Sequence, residues 1–205
     1  MTENNILAMH EALLSSQRGW EEYAGAYRTN LVWVGTDSYS PRGAAHVGPQ
    51  SELIADAKTD LLEFIKHDDL PVVAQCAITY AQFETIYPFA DGNGRCGRAL
   101  VHVILRNKRL SCNTTPPVSA GLLHDTESYF EALTLFREGD AAPIARQFAQ
   151  ACRFAVTSGR KLIDDLCEQL DEGRSHLQGV RSDAAVWLVL PNLIAQPIIN
   201  MRYLQ

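Results

Sequence analysis

Apolar positions recur at helical spacing along most of this chain. From Asn5 to Ser15 they predict a first helix, followed by a loop. Leu31-Val32-Trp33-Val34 and Ala44-Ala45-His46-Val47 read as two short strands around the turn-rich stretch 35–43. A helix is expected from Pro49 to Lys66, and Pro71 opens the next. Within Val72 to Ile86, Cys76, Tyr80 and Phe83 keep helical spacing, and from Arg95 to Asn107 so do Leu100, Val103 and Ile104. Asn113-Thr114-Thr115-Pro116-Pro117 breaks the pattern. Helices resume near Asp125 and Pro143, the second running toward Glu172, and Asp171-Glu172-Gly173-Arg174 marks a change. The segment 182–205 carries a helix signal followed by Gln196-Pro197-Ile198-Ile199-Asn200.

Composition narrows the class. With 205 residues, 46% of them hydrophobic and 20% charged, the chain has enough apolar material for one substantial core. A net charge of −6 argues against a broad nucleic-acid footprint. Cys76, Cys96, Cys112, Cys152 and Cys167 contain no C-x-x-C pair, so neither a zinc ribbon nor a redox motif is supported. Most fall in apolar helical patterns, as reduced thiols of a cytoplasmic protein do. No signal peptide opens the sequence and no apolar run reaches about 18 residues. A cytoplasmic location without a membrane partner is therefore expected.

The candidate chemistry sits in Ile86-Tyr87-Pro88-Phe89-Ala90-Asp91-Gly92-Asn93-Gly94-Arg95-Cys96-Gly97-Arg98. Gly92 and Gly94 let the backbone take unusual dihedrals and approach a ligand. A glycine turn that opens a helix aims several unpaired N–H groups, backed by the helix dipole, at one anion. Arg95 and Arg98, three apart, fall on one helix face near its start, where guanidinium forks suit phosphate oxygens. Asp91 can give one oxygen to Mg²⁺, which typically takes one or two carboxylates plus substrate phosphates. Each piece alone has an ordinary structural reading: a turn, a solvated face, a helix cap. Their combination is far more specific. The G-x-G-x-x-G spelled by Gly92, Gly94 and Gly97 does not indicate a dinucleotide fold, because the preceding segment has helical rather than strand spacing.

The loop resembles the signature of the Fic (Fido) family, His-Pro-Phe-x-Asp/Glu-Gly-Asn-Gly/Lys-Arg-x-x-Arg. Every fixed position matches except the first, where Tyr87 replaces histidine. Phe83-Glu84, the stretches Val32 to Gly35 and Ala44 to Pro49, Tyr129 to Leu133 and Arg137 to Asp140 also resemble the family, over roughly residues 8–170. The resemblance implies an all-α, mainly helical Fic/Fido fold with one small β-hairpin flap. The core would cover 1–178 with the flap at 31–48, and 179–205 resembles the start of a winged-helix region. The implied reaction is transfer of AMP from Mg-ATP to a target-protein hydroxyl. By the same resemblance Asp91 holds the metal; Gly92, Asn93 and Gly94 form the anion hole; Arg95 and Arg98 hold phosphates; and Phe89 anchors the loop. Val32, Trp33, Val34, His46 and Val47 of the flap clamp a protein target by strand addition. A second copy of the chain is another candidate for that edge, and an inhibitor or antitoxin is expected to be a separate protein or an N-terminal part.

Tyr87 stands at the general-base position. A free tyrosine has a pKa near about 10, so only about one in a thousand is phenolate at neutral pH. A positioned general base contributes about 10²- to 10⁴-fold. Transfer activity is therefore expected to be reduced or lost, and the alternative is a nucleotide-binding pseudoenzyme acting as a regulatory or interaction module. Thr134 to Gly139 fits the family's inhibitory pattern Ser/Thr-x-x-x-Glu-Gly/Asn, but lies where an ordinary core helix is expected.

Overall fold

A computed structural model describes residues 1–35, 37, 39–196 and 198. Among the described residues it is mainly helical, with one two-stranded sheet: α1 (Glu3–Leu14), β1 (Trp33–Val34), β2 (His46–Val47), α2 (Ile54–Lys66), α3 (Val72–Ile86), α4 (Asn93–Asn107), α5 (Val118–Leu122), α6 (Thr126–Arg137), α7 (Ala142–His176) and α8 (Val186–Ala195). Contacts divide the chain into two compact units, Met1–Ala155 and Val156–Gln205, which meet inside α7. The candidate site lies wholly in the first unit.

α3 is the central helix of that unit. It begins after Pro71, whose fixed φ suits a helix start. Cys76, Ala77, Tyr80, Ala81, Phe83 and Ile86 are buried, and so are the polar Gln75, Thr79 and Glu84. A helix apolar around most of its circumference is covered on several sides. Here α2, α4 and α6 all pack against it, and Leu61, Leu100, Ile104 and Phe148 fill the shared core. The Gln75 amide donates to the carbonyls of Phe64, Ile65 and His67 at 2.8 to 3.1 Å. That satisfies the open C-terminal end of α2.

Several expected boundaries shift. α2 starts at Ile54, not Pro49, because Gln50 is extended and a tight 3₁₀ turn over Ser51–Leu53 comes first. α5 follows the proline breaker and was not anticipated; burial of Val118 and Leu122 holds its single turn. The strands are shorter than four residues each: Trp33 lies opposite Val47 and Val34 opposite His46. Gly48 N–H to Val32 O and Ala45 N–H to Val34 O bracket this ladder. A two-stranded ribbon is marginal unless something covers it, and Leu31 and Val47 are exposed. Trp33 is only half-buried, its indole donating to the Asp37 carbonyl at 2.7 Å. Thr36 and Ser38 of the flap turn lie outside the described residues.

In the second unit, Gly173 of α7 lies against Leu190 of α8. Of the 179–205 segment that resembles a winged-helix start, residues 197 and 199–205 lie outside the described residues. No described helix is long and apolar enough to cross a membrane.

Candidate active site

The loop between α3 and α4 is bounded by two left-handed residues. Tyr87 caps α3 at φ 48° and ψ 60°, and Gly92 precedes α4 at φ 79°. The second is glycine's natural territory, whereas the first is costly for a tyrosine and needs outside support. Arg28 gives it. This side chain is 5% exposed. Its Nε donates to the Tyr87 carbonyl at 2.7 Å, and its guanidinium also reaches the carbonyls of Asn30 and Pro49 at 2.9 and 2.6 Å. The Arg28 amide donates to the Pro88 carbonyl at 3.0 Å. One residue thus ties both ends of the flap to the loop. A Cβ at Gly48 would lie 2.8 Å from Arg28 Nη2, so a side chain there would have to displace the end of the guanidinium.

His10 on α1 holds the other side. Its Nδ1 accepts from the Gly25 amide and its Nε2 faces the Asp91 carbonyl, both at 3.0 Å, which places the proton on Nε2. The ring stacks on Phe89 at 3.7 Å between centroids, with Tyr27 on Phe89 at 5.4 Å. Phe89 itself is fully buried. The Asn93 side chain accepts from the Phe89 amide at 2.9 Å and donates to the Phe89 carbonyl at 2.8 Å. The first bond of the α4 ladder runs from Cys96 N–H to Gly92 O. The amides ahead of it are therefore the helix's open donors.

Beside this loop lies a cavity of about 580 Å³. Tyr87, Gly94 and Arg98 line it from the loop side, Val34 and His46 from the flap, and Leu122, Tyr129 and Phe130 from α5 and α6. Two charged groups outside the signature, Glu84 and Arg137, also line it. Glu84 is 7% exposed and its Oε1 has no hydrogen-bond partner among the described residues. Burial pushes its carboxyl up to about 7, against the opposing pull of Arg98, Arg137 and the Tyr80 hydroxyl. Tyr80 and Tyr129 hydroxyls meet at 2.5 Å behind it. Tyr87 is half-buried, and its phenol is raised above the ordinary value first by burial, then by the Glu84 and Asp91 carboxylates, with the Asn93 amide opposing.

The remaining expected residues fall elsewhere. Asp91, Gly92, Asn93 and Arg95 do not line the cavity. Although Arg95 and Arg98 are three apart on α4, they part company: Arg95 is exposed, donating to Asp91 Oδ2 at 2.8 Å and Gln17 Oε1 at 3.1 Å. Val32, Trp33 and Val47 likewise stay off the lining, whereas Val34 and His46 are on it. Glu138 is exposed at the end of α6 and makes no ion pair with Arg98 among the described residues; Arg137, its neighbour, faces the cavity instead. No cluster of three or more metal-binding side chains occurs among the described residues. Asp91 keeps Oδ1 free of hydrogen bonds there, and a hard carboxylate oxygen is the kind of ligand that Mg²⁺ takes.

Sequence reasoning missed His10, Arg28 and Arg137. His10 had a signal: it sits four residues from both Ile6 and Leu14, on the apolar stripe of α1. A polar residue on a buried stripe must have partners. Arg28 had none, since its partners are backbone carbonyls, which carry no residue identity, and those of Tyr87 and Pro49 are distant in sequence.

The Fic/DOC family model matches residues 1–105. Protein adenylyltransferase fic-1 of Caenorhabditis briggsae is 27% identical over 150 residues, covering 72% of this chain and 26% of that protein. Protein adenylyltransferase Fic of Nematostella vectensis is 28% identical over 153 residues, covering 73% and 32%. The chain thus spans between a quarter and a third of the length of these curated relatives. A Fic family protein from Desulfovibrio desulfuricans superposes with a TM-score of 0.66 at 28% identity, over 83% of this chain and 51% of that one. Fic-1 from C. elegans, at 20% identity and a TM-score of 0.56 over 77% and 42%, shares the fold. With its signature loop, flap and helical core in place, the chain belongs to the Fic/DOC family.

Proposed function

We propose that the cavity binds Mg·ATP and that the chain is a Fic-type protein adenylyltransferase of reduced activity. One observation carries this reading: Arg98 and Gly94, at the start of α4, share a cavity wall with Tyr87 and with the flap residues Val34 and His46. The open amides of α4 and the Arg98 fork suit the phosphates. The apolar side chains of α5 and α6 suit the nucleoside. Mg²⁺, held by Asp91, would neutralise phosphate charge. A target segment added to the flap edge would bring its hydroxyl to the same place.

Transfer forms a bond from the target hydroxyl oxygen to the α-phosphorus, breaks the bond to pyrophosphate and releases the hydroxyl proton. Tyr87 is a poor acceptor for that proton. Its phenol already holds one at neutral pH, and burial beside two carboxylates makes it hold on harder. The loop alone therefore supplies no base. The same observation supports the second reading, a pseudoenzyme that keeps the phosphate grip while losing chemistry. Mass spectrometry of cell lysate incubated with Mg·ATP separates them. The enzyme reading expects one target list for the wild type and for Tyr87→His, made more slowly by the wild type. Modification by Tyr87→His alone establishes the pseudoenzyme. Modification by neither removes AMP transfer from consideration.

A further inference from the structure

Resting on the transferase reading, we propose that His46 of the flap is the general base of this site, taking the proton that a loop histidine would otherwise take. His46 lines the same cavity as Tyr87, Gly94 and Arg98. Its ring centroid is 6.2 Å from that of Tyr87, edge to face at 73°. Its Nε2 lies 3.0 Å from the Thr85 carbonyl, an acceptor only, so Nε2 carries the hydrogen. Nδ1 is then the basic nitrogen. It makes no hydrogen bond among the described residues and is not among their fully buried unpartnered atoms, so it keeps some exposure, on a residue that lines the cavity.

The surroundings keep that nitrogen unprotonated. Burial lowers the imidazole pKa most, Arg137 from α6 and Arg28 from before β1 lower it further, and the Thr85 carbonyl opposes them. Glu84, Tyr80, Tyr87, Tyr129 and Arg98 are the other titratable or charged groups lining this cavity. A neutral histidine held in one tautomer by a backbone carbonyl is a ready base. It also sits on the strand that pairs with an incoming target, so the acceptor hydroxyl and the base arrive together. In the step itself, the target hydroxyl oxygen bonds to the α-phosphorus. The phosphorus–oxygen bond to pyrophosphate breaks, pyrophosphate keeping the electron pair. The hydroxyl proton moves to His46 Nδ1 and then to solvent water.

The test follows AMP incorporation into lysate proteins and pyrophosphate release from Mg·ATP, against pH. The wild-type rate should be flat above about pH 6.5 and fall below it as His46 protonates. His46→Gln can still donate to the Thr85 carbonyl but cannot accept the proton. It should lose roughly 10²-fold or more in rate and lose the acid limb, with Mg·ATP affinity within about twofold of wild type. In the His46→Gln background, Tyr87→His should restore roughly 10²-fold. A wild-type rate that instead climbs steeply toward about pH 10 assigns the proton to Tyr87 and overturns the proposal. So does a His46→Gln rate equal to wild type, or a wild type that releases no pyrophosphate while binding Mg·ATP. Absence of any Mg·ATP binding heat defeats the nucleotide reading itself, a separate outcome.

Discussion

The signature loop and the flap share one cavity but are held in opposite ways. Successive backbone groups of the loop are bound from outside it: the Tyr87 and Pro88 carbonyls by Arg28, both polar groups of Phe89 by Asn93, and the Asp91 carbonyl by His10. The flap rests on two cross-strand pairs, on the Arg28 contacts at its ends and on the His46 contact with the Thr85 carbonyl. The loop's shape therefore does not depend on which side chain occupies position 87. A tyrosine can stand there while Gly94 and Arg98 keep their places on the cavity wall. The flap backbone is held at fewer points, so its edge is the one free to meet a partner strand.

The comparison breaks most visibly at Phe89. Removing this fully buried ring from between His10 and Tyr27 should cost about 3–5 kcal/mol, read as a lower urea midpoint for Phe89→Ala. Arg28→Met comes next. It leaves the Tyr87, Asn30 and Pro49 carbonyls without their donor, at about 2–3 kcal/mol. It should also speed amide hydrogen exchange in loop and flap together, since this one side chain joins them. Exchange that quickens in only one of the two would show that they are not coupled through Arg28.

How far the sequence foretold this arrangement differs between the same two regions. The loop's place between α3 and α4 was legible because its signal is local: Asp91 to Arg98 is one continuous stretch whose glycines mark a turn and whose apolar spacing after it marks a helix. Periodicity placed α3 and α4 for the same reason. What holds the loop was not legible, because Arg28 and His10 act across long sequence separations on backbone groups that carry no residue identity. The flap strands were overestimated, since β-propensity in Leu31 to Val34 does not reveal that nothing covers their outer residues. Arg95 and Arg98 separated because Asp91, one helical turn away, captures the first.

His10 adds a pH dependence. Burial lowers its pKa, so the unfolded chain takes up more protons as pH falls. Its contribution is complete above about pH 6.5 and is lost on acidification below that value. His46 and His102 are shifted in the same direction by burial and add to the slope. Denaturant titrations between about pH 5 and 8 should show stability rising with pH, less steeply in His10→Gln, whose amide can both accept and donate but cannot titrate. An unchanged slope would mean that His10 does not contribute.

The smallest stability effect belongs to the flap. Val34→Pro should cost no more than about 1 kcal/mol, since the ribbon it disrupts is marginal. It should abolish capture of a strand-forming partner while Mg·ATP still binds. Capture that survives in the folded variant would rule out strand addition there.

The claim beneath all of this is that the cavity grips a triphosphate through Arg98 and the start of α4, whatever residue stands at 87. Isothermal calorimetry with Mg·ATP and Mg·AMP tests it, on the wild type and Arg98→Ala. The account predicts binding heat for the wild type, and an Arg98→Ala loss of roughly tenfold or more for the triphosphate but little for the monophosphate, as removal of a charge-assisted phosphate contact would give. No heat at millimolar Mg·ATP, or equal losses for the two nucleotides, would contradict it.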